Sequence, residues 1–328
     1  MTVKLLRFIL ILLVVSFAVW QLSPHLRDFE QIYRLREKIS YFWLTLAVLS
    51  QTGQYIGDGW LSLILLKVTK TRVSFINTLK IASMNVFAAN LLPVGQAGAL
   101  ATAYYFYKKL GVTNQNFIFL SLCWTAITTT TLAMIFSISL ITLREFPDLG
   151  FSYKAAALVF LFVILSIAAL SLISKQVVWP KVKHLIEKTA IFQEFALFKK
   201  NFPDFKQAVR NNKTSFYKAY AAALIFYLSS IFTLMLSFLT FGIKVPFDVA
   251  AIAYTLSFAA GWITLAPAGI GATEATMILI FLQFNFPPAE AVAGTLLFRI
   301  ISFWIPIATG LISYISLKRT SAKKSKHK

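Results

Sequence analysis

The sequence predicts an all-α, polytopic membrane protein with about six full spans and two re-entrant helical hairpins in an inverted repeat. Of its 328 residues, 58% are hydrophobic, whereas soluble domains average about 45–50%. The polar residues fall in short stretches between long apolar runs. Two of those runs are broken by Pro and Gly and resume as limbs too short to cross a bilayer. We expect residues 1–328 to form one integral membrane domain.

The charge balance indicates membrane topology rather than nucleic-acid binding. The formal net charge is +20, from 32 basic and 12 acidic residues. Most of the basic residues lie in loops and in the C-terminal tail, where the positive-inside rule places them on the cytoplasmic side. The single cysteine, Cys123, excludes an internal disulfide, and the three histidines are scattered. We therefore expect no nucleic-acid partner, no metal site and no cofactor.

The N-terminal part of the chain predicts two spans. The first covers about residues 5–22, and basic residues near its start place the N-terminus in the cytoplasm. The second covers residues 41–66, in which Gly53 and Gly57 allow close helix packing. Asp58 lies in this second span. It is either a functional buried acid or an acid hydrated near the cytoplasmic end.

A first re-entrant hairpin follows. The apolar segment 73–92 meets a Pro/Gly-rich break, and the limb at 99–107 ends at two lysines. Nine residues of helix rise only about 14 Å, whereas a full span needs roughly 30 Å. This hairpin would enter from the cytoplasm and return there. Its candidate substrate-lining residues are Asn90, Pro93, Gly95, Gln96 and Gly98, and for the polar ones plain interhelical hydrogen bonding is the alternative.

The middle of the chain predicts two further spans and one polar segment. Residues 112–143 and 153–173 are long and apolar, so the first repeat covers about 41–143. Segment 175–218 holds ten basic against three acidic residues, with Val209 and four phenylalanines at helical spacing. This pattern predicts an amphipathic helix on the cytoplasmic surface, attracted to anionic lipid. A solvated loop would explain the charge but not the apolar stripe.

The second hairpin carries the most informative stretch of the sequence, residues 264–274. After a span at 219–241, an apolar segment at 249–265 runs into Pro267, which cannot continue a helix. Gly269 and Gly271 permit backbone angles that other residues resist. A helix can restart at Ala272 and run to residue 283, a rise of about 18 Å that again cannot cross the membrane.

Two charged residues mark this region as a candidate site. Glu274 falls in the first turn of the restarted helix. Arg299 lies eleven residues beyond Pro288 in the last span, 289–317, which puts it roughly 16 Å deep. An arginine there costs at least about 2.5–3.5 kcal/mol unless it has a partner. Glu274 is then a helix-capping acid, a structural partner of Arg299, or part of a substrate site with it.

The two halves of the chain share one order of elements. Each has a span, a long limb, a Pro/Gly break, a short limb and another span, and the second repeat covers about 219–317. The first hairpin enters from the cytoplasm and the second from outside, an inverted-topology duplication typical of transporters with a midplane site. A basic, unstructured cytoplasmic tail at 318–328 follows.

The motif at 267–274, followed by Pro-Pro-Ala-Glu-Ala at 287–291 and Leu-Phe-Arg at 297–299, resembles one family. It is similar to the transmembrane region of lysylphosphatidylglycerol synthases, a flippase-like integral membrane family, and residues 93–105 resemble that family's weaker first motif. The resemblance implies a multi-pass inner-membrane protein of a bacterium or archaeon that handles lipids, here without the soluble synthase domain. Members fused to that domain flip aminoacylated phosphatidylglycerol.

The sequence departs from the family pattern at three positions. Ala99 and Thr102 stand where the first motif often has Glu and Arg, and Thr273 replaces a common Arg beside the glutamate. These missing charges argue against assuming lysylphosphatidylglycerol as the substrate.

Three functions are consistent with the sequence, which contains no recognisable catalytic motif. The leading one is a lipid transporter or flippase for an anionic or phosphate-bearing lipid, a phospholipid or polyisoprenoid lipid. Arg299 and the helix starts near Ala99 and Ala272 would bind its phosphate. The second is an integral membrane transferase acting on a lipid-linked substrate, with Glu274 or Asp58 as general base. The third is a proton-coupled carrier that uses Glu274.

Overall fold

The computed structural model describes residues 35–91, 96–143, 202–264 and 269–325. Regular structure in these ranges is entirely helical. Three helices within them are long and apolar enough to cross a membrane: Asn114–Thr142, Lys213–Leu239 and Pro288–Leu317. The predicted all-helical fold is therefore confirmed for the described residues. The predicted spans at 5–22 and 153–173 lie outside the described residues.

The first described half contains four helices after a short 3₁₀ turn at Arg36–Lys38. They are α1 (Tyr41–Val68), α2 (Phe75–Leu91), α3 (Gln96–Lys109) and α4 (Asn114–Thr142). Thr113 caps α4 by accepting a hydrogen bond from the Asn116 N–H at 3.3 Å, which satisfies one donor of its first turn. The 28 residues of α1 reach about 42 Å, enough to cross a bilayer.

The second described half begins with the short helix α5 and ends with a long interrupted helix. Its elements are α5 (Phe202–Asn211), α6 (Lys213–Leu239), α7 (Phe247–Thr264), α8 (Ala272–Gln283), α9 (Pro288–Arg299), a π-helical segment (Ile300–Trp304) and α10 (Ile305–Ser325). Pro288 opens α9, where its missing N–H costs nothing.

Helices α1 and α6 form the central pair. A Cβ built on Gly57 of α1 would lie 2.6 Å from the backbone nitrogen of Phe226 and 2.8 Å from the carbonyl oxygen of Ala222. The two helices are therefore in backbone contact, as the Gly53/Gly57 spacing predicts. Two turns earlier in α1, the Ser50 hydroxyl donates to the Ser229 carbonyl at 2.9 Å.

The other helices pack around this pair in a reciprocal pattern. In the first half, α2 packs on α1, α3 and α10; in the second half, α7 packs on α6, α8 and α4. The α10 helix of the second half thus lies on α2 of the first, and the α4 helix of the first half lies on α7 of the second. Lys80 of α2 donates to the Ser316 hydroxyl of α10 at 2.7 Å, and Ser83 meets Thr309 at 3.3 Å.

Two predictions about the polar segments need correction. The α6 helix begins at Lys213, ahead of the predicted residue 219, and α10 stays helical to Ser325, although the tail from 318 was expected to be unstructured. Lys, Arg and Ala all propagate a helix well once one is started, so the spans continue beyond their apolar limits.

The amphipathic segment predicted at 175–218 is described only from residue 202. There α5 packs on the protein itself, since Ala208 and Val209 contact a cluster formed by Val68 of α1 and Phe119 of α4. Arg210 is exposed on the same helix. Val209 of the apolar stripe is therefore covered by protein, and the phenylalanines at 195 and 198 lie outside the described residues.

Candidate functional site

The site begins where the second hairpin turns. The α7 helix ends at Thr264, and α8 restarts at Ala272, the residue that the sequence predicts. Gly269 has φ +65° and Gly271 has φ +86°, left-handed angles that favour glycine. Pro267 lies outside the described residues.

The two limbs of this hairpin meet almost backbone to backbone. A Cβ on Gly269 would lie 2.7 Å from the Cα of Gly261 in α7 and 2.5 Å from the Thr273 Oγ1. Such distances leave no room for a side chain at Gly269. The first turn of α8 is therefore held in a fixed position against the end of α7.

Glu274, in the first turn of α8, accepts hydrogen bonds from two groups. Its Oε2 accepts a hydrogen bond from the backbone N–H of Gly271 at 2.7 Å, which caps the helix. Its Oε1 accepts one from Nε of Arg299 at 2.5 Å. The capping and pairing interpretations of the sequence are therefore both correct for this side chain. The side chains of Arg299 and Glu274 are only 16% and 19% exposed, so this ion pair is largely removed from solvent.

Arg299 ends α9 at an irregular point of the last span. The π-helical segment Ile300–Trp304 follows at once, and the arginine Cζ lies 5.4 Å from the centre of the Phe303 ring, within cation–π range. Pro306 has no N–H to donate to the carbonyl of Ser302 four residues earlier. In a π-helical turn, a carbonyl oxygen accepts from the N–H five residues later instead of four. Such turns are frequent at functional sites.

Sequence reasoning did not identify this π-helical segment or the hydroxyl groups beside it. Thr295 precedes Arg299 by four residues and Ser302 follows it by three, so all three lie near one face of the helix. Within the described chain, the hydroxyl oxygens of Thr295 and Ser302 are buried without a hydrogen-bond partner. Pro306 was the available signal for the irregular backbone.

The remaining predicted site residues are distributed over the first half. Gln96 is the first residue of α3, Gly98 is buried in it, and Asn90 is half-buried in α2. Pro93 and Gly95 lie outside the described residues. In the described ranges, no three His, Cys, Asp or Glu side chains come together as metal ligands would.

Asp58 lies apart from the Glu274–Arg299 pair and is buried, so the hydrated interpretation of this acid is wrong. Only 8% of the residue is exposed. The indole N–H of Trp124 in α4 donates to its Oδ1 at 2.7 Å. Sequence position alone suggested solvation because α1 ends at Lys67 and Val68, but α4 covers the acid.

Comparison with known proteins decides the family. A family model described as the lysylphosphatidylglycerol synthase TM region matches residues 4–310. The chain belongs to this family. A UPF0104 membrane protein of Methanocaldococcus jannaschii is 27% identical over 278 residues, covering 79% of this chain and 80% of the relative. One of Pyrococcus horikoshii is 26% identical over 272 residues, covering 75% and 78%.

A shorter match supports the same assignment. A UPF0104 membrane protein of Methanothermobacter thermautotrophicus is 32% identical over 102 residues, covering 31% of this chain and 30% of the relative. The resemblance inferred from the motifs at 267–274, 287–291 and 297–299 is thereby confirmed, and a membrane location with it.

Proposed function

We propose that this protein is a lipid transporter that moves an anionic or phosphate-bearing lipid across the cell membrane. The observation that carries the proposal is the Arg299–Glu274 pair, set between an apolar span and the break of a second helix. A charged pair at such a depth is expensive and commonly marks a substrate path. Membership of a family named after a phospholipid-handling synthase supports a lipid as the substrate.

The pair suggests how a phosphate would be bound. Arg299 has a planar guanidinium that matches the geometry of a phosphate. The first backbone N–H groups of α8 point out of the N-terminus of that helix. An arriving phosphate would replace the Glu274 carboxylate at Arg299. Because the same carboxylate also caps α8 through Gly271, its displacement would loosen the start of that helix and link binding to a change of access.

We further propose that the two halves are inverted repeats with two re-entrant hairpins. The hairpin limbs α2, α3, α7 and α8 have 17, 14, 18 and 12 residues. As helices they rise only about 25, 21, 27 and 18 Å, less than the roughly 30 Å of a bilayer core. The packing of α10 on α2 and of α4 on α7 supports two halves related by pseudo-two-fold symmetry. In transporters of this kind, one repeat rocks against the other.

This arrangement predicts that the protein lies in the inner membrane with both termini in the cytoplasm. In a Cys123→Ser background, cysteine at exposed Lys244 should react with an impermeant thiol reagent added to intact cells. Cysteine at exposed Lys109 should react only after permeabilisation, because the basic end is cytoplasmic. Labelling of the Lys109→Cys variant alone in intact cells would contradict the orientation.

The cytoplasmic end of this arrangement presents a basic surface. The exposed residues are Lys67, Lys70, Arg72, Lys108, Lys109, Arg210, Lys213 and Lys218, at the ends of α1, α3, α5 and α6. Anionic headgroups attract such residues by about 1 kcal/mol each near the surface. We propose that this basic surface holds anionic lipid, which would raise its local concentration beside the hairpins.

The function is tested with purified protein in liposomes that carry a trace of fluorescent phosphatidylglycerol. The wild-type chain should expose the inner-leaflet pool to an impermeant quencher faster than protein-free liposomes do. The control is an uncharged fluorescent glycolipid, and the rate of its movement should stay near the background. A fluorescent diacylglycerol also lacks the phosphate, but it crosses bilayers unaided and is therefore a poorer control. Equal rates with and without protein for phosphatidylglycerol and for a polyisoprenyl phosphate would contradict the proposal.

A further inference from the structure

Asp58 is a second buried acid whose surroundings differ from those of Glu274. It lies in α1 between two glycines that bring neighbouring helices into close contact. A Cβ on Gly57 would meet the α6 backbone, and one on Gly59 would lie 3.0 Å from the Cα of Leu79 in α2. Asp58, only 8% exposed, thus lies on the stretch of α1 that is in close contact with both α6 and α2.

The groups that face Asp58 from these helices are neutral. Trp124 of α4 donates to Oδ1 at 2.7 Å, and Tyr107 of α3 and Tyr227 of α6 are buried. Around them is an apolar cluster from α1, α2, α3, α4 and α6.

Lys80 and Cys123, two other titratable side chains on the packed helices, make their contacts elsewhere. Lys80, the lysine of α2, donates to Ser316 of α10. Cys123, beside Trp124, packs with Val68 and Phe119. The π-helical segment that touches α1 contains no titratable residue. In the described ranges, no ion pair therefore accompanies this carboxyl, in contrast to Glu274.

An ionised carboxylate in such a place lacks the compensation that buried charges require. One indole donor does not replace the water that a carboxylate loses on burial. Uptake of a proton removes the charge and leaves the Trp124 hydrogen bond intact, since a carboxylic acid keeps an acceptor oxygen. The enclosure therefore allows a neutral acid, whereas the ionised form requires water to enter between α1 and α4.

We propose that Asp58 is a proton-binding site whose protonation is coupled to the contact between α1 and α4, which the Trp124 hydrogen bond spans, while α1 stays packed on α6. With that contact closed the carboxyl holds a proton; when the contact opens and water reaches the carboxyl, the proton is released. Resting on the proposed lipid transport, the coupling makes lipid movement respond to a proton gradient. With one proton per lipid, a gradient of one pH unit would set a lipid ratio of up to about tenfold between the leaflets.

Proton binding is tested without transport by pH-difference infrared spectroscopy of the purified protein. The carbonyl stretch of a protonated carboxyl should contain a component that disappears in Asp58→Asn, a replacement that still accepts from Trp124. Trp124→Phe should shift that component, because it removes the hydrogen bond, and Glu290→Gln should leave it in place. An unchanged component in Asp58→Asn would overturn the site.

Coupling is tested in liposomes that carry fluorescent phosphatidylglycerol and an imposed pH gradient. The wild type should accumulate the lipid in one leaflet, whereas Asp58→Asn should distribute it equally between the leaflets. Movement by the wild type that ignores the gradient, or accumulation by Asp58→Asn, would overturn the coupling while leaving lipid transport in place. Absence of any wild-type movement would instead overturn the transport on which the coupling rests, and the infrared result would then decide the proton site alone.

Discussion

Replacement of Arg299 by alanine is expected to reduce lipid movement at least about 30-fold, since removing the charged partner that binds the phosphate costs about 2–5 kcal/mol of binding free energy. Arg299→Lys should restore only part of the activity, because lysine lacks the two-pronged guanidinium that matches a phosphate. The rate of quencher exposure of fluorescent phosphatidylglycerol measures both variants. Lys244→Ala, which removes an exposed cation that belongs neither to the pair nor to the basic surface, is the control and should transport near the parent rate.

The same variants separate a binding role from a folding role. In Arg299→Ala, Glu274 loses its cationic partner but keeps the Gly271 N–H, so we expect a folded protein destabilised by about 1–3 kcal/mol. An Arg299→Ala protein that unfolds at the parent temperature and transports at the parent rate would contradict the assigned role. Equal rescue by lysine would argue for charge alone.

The second large effect is expected at the crossing of α1 and α6. Gly57→Ala would place a Cβ against backbone atoms of Phe226 and Ala222, which cannot turn aside as a side chain can. Overpacking of this kind costs about 1–3 kcal/mol, and Gly57→Leu should cost more. Thermal unfolding followed by a thiol-reactive dye suits this protein, because Cys123 is its single cysteine and is half-buried.

Two neighbouring glycines serve as graded controls for that prediction. At Gly53 the obstacle is the Ser229 side chain, and at Gly59 the nearest atom is the Leu79 Cα at 3.0 Å. Alanine at either position should therefore lower the unfolding temperature less than alanine at Gly57. A Gly57→Ala variant as stable as the parent would contradict the close packing of the central pair.

Local chemistry made several features of the second hairpin predictable. Pro267, Gly269 and Gly271 fix where one helix stops and the next begins, so the start of α8 at Ala272 follows from the residues themselves. Arg299 needs an anionic partner at its depth, and the nearest acid on an apolar segment is Glu274. The ion pair was therefore predictable, although the sequence left its purpose open.

Other features depend on contacts between distant parts of the chain. The burial of Asp58 involves Trp124, which is 66 residues away in the sequence and donates a hydrogen bond to it. No sequence pattern within α1 predicts this burial. The docking of α5 through Val209 likewise requires Val68 and Phe119 from two other helices. The π-helical segment precedes Pro306 and packs on α1 and α6. A proline in the sequence predicts an interrupted helix, but it does not tell a π-helical segment from a kink.

The double variant Glu274→Gln with Arg299→Gln tests the central claim most directly, that this pair is a phosphate site and not only a link between two helices. It replaces an ion pair by two neutral amides of similar shape, so a structural pair should tolerate it. If the pair is a phosphate site, the double variant should unfold near the parent temperature but lose movement of fluorescent phosphatidylglycerol in liposomes. A folded double variant that moves the lipid at the parent rate would contradict it.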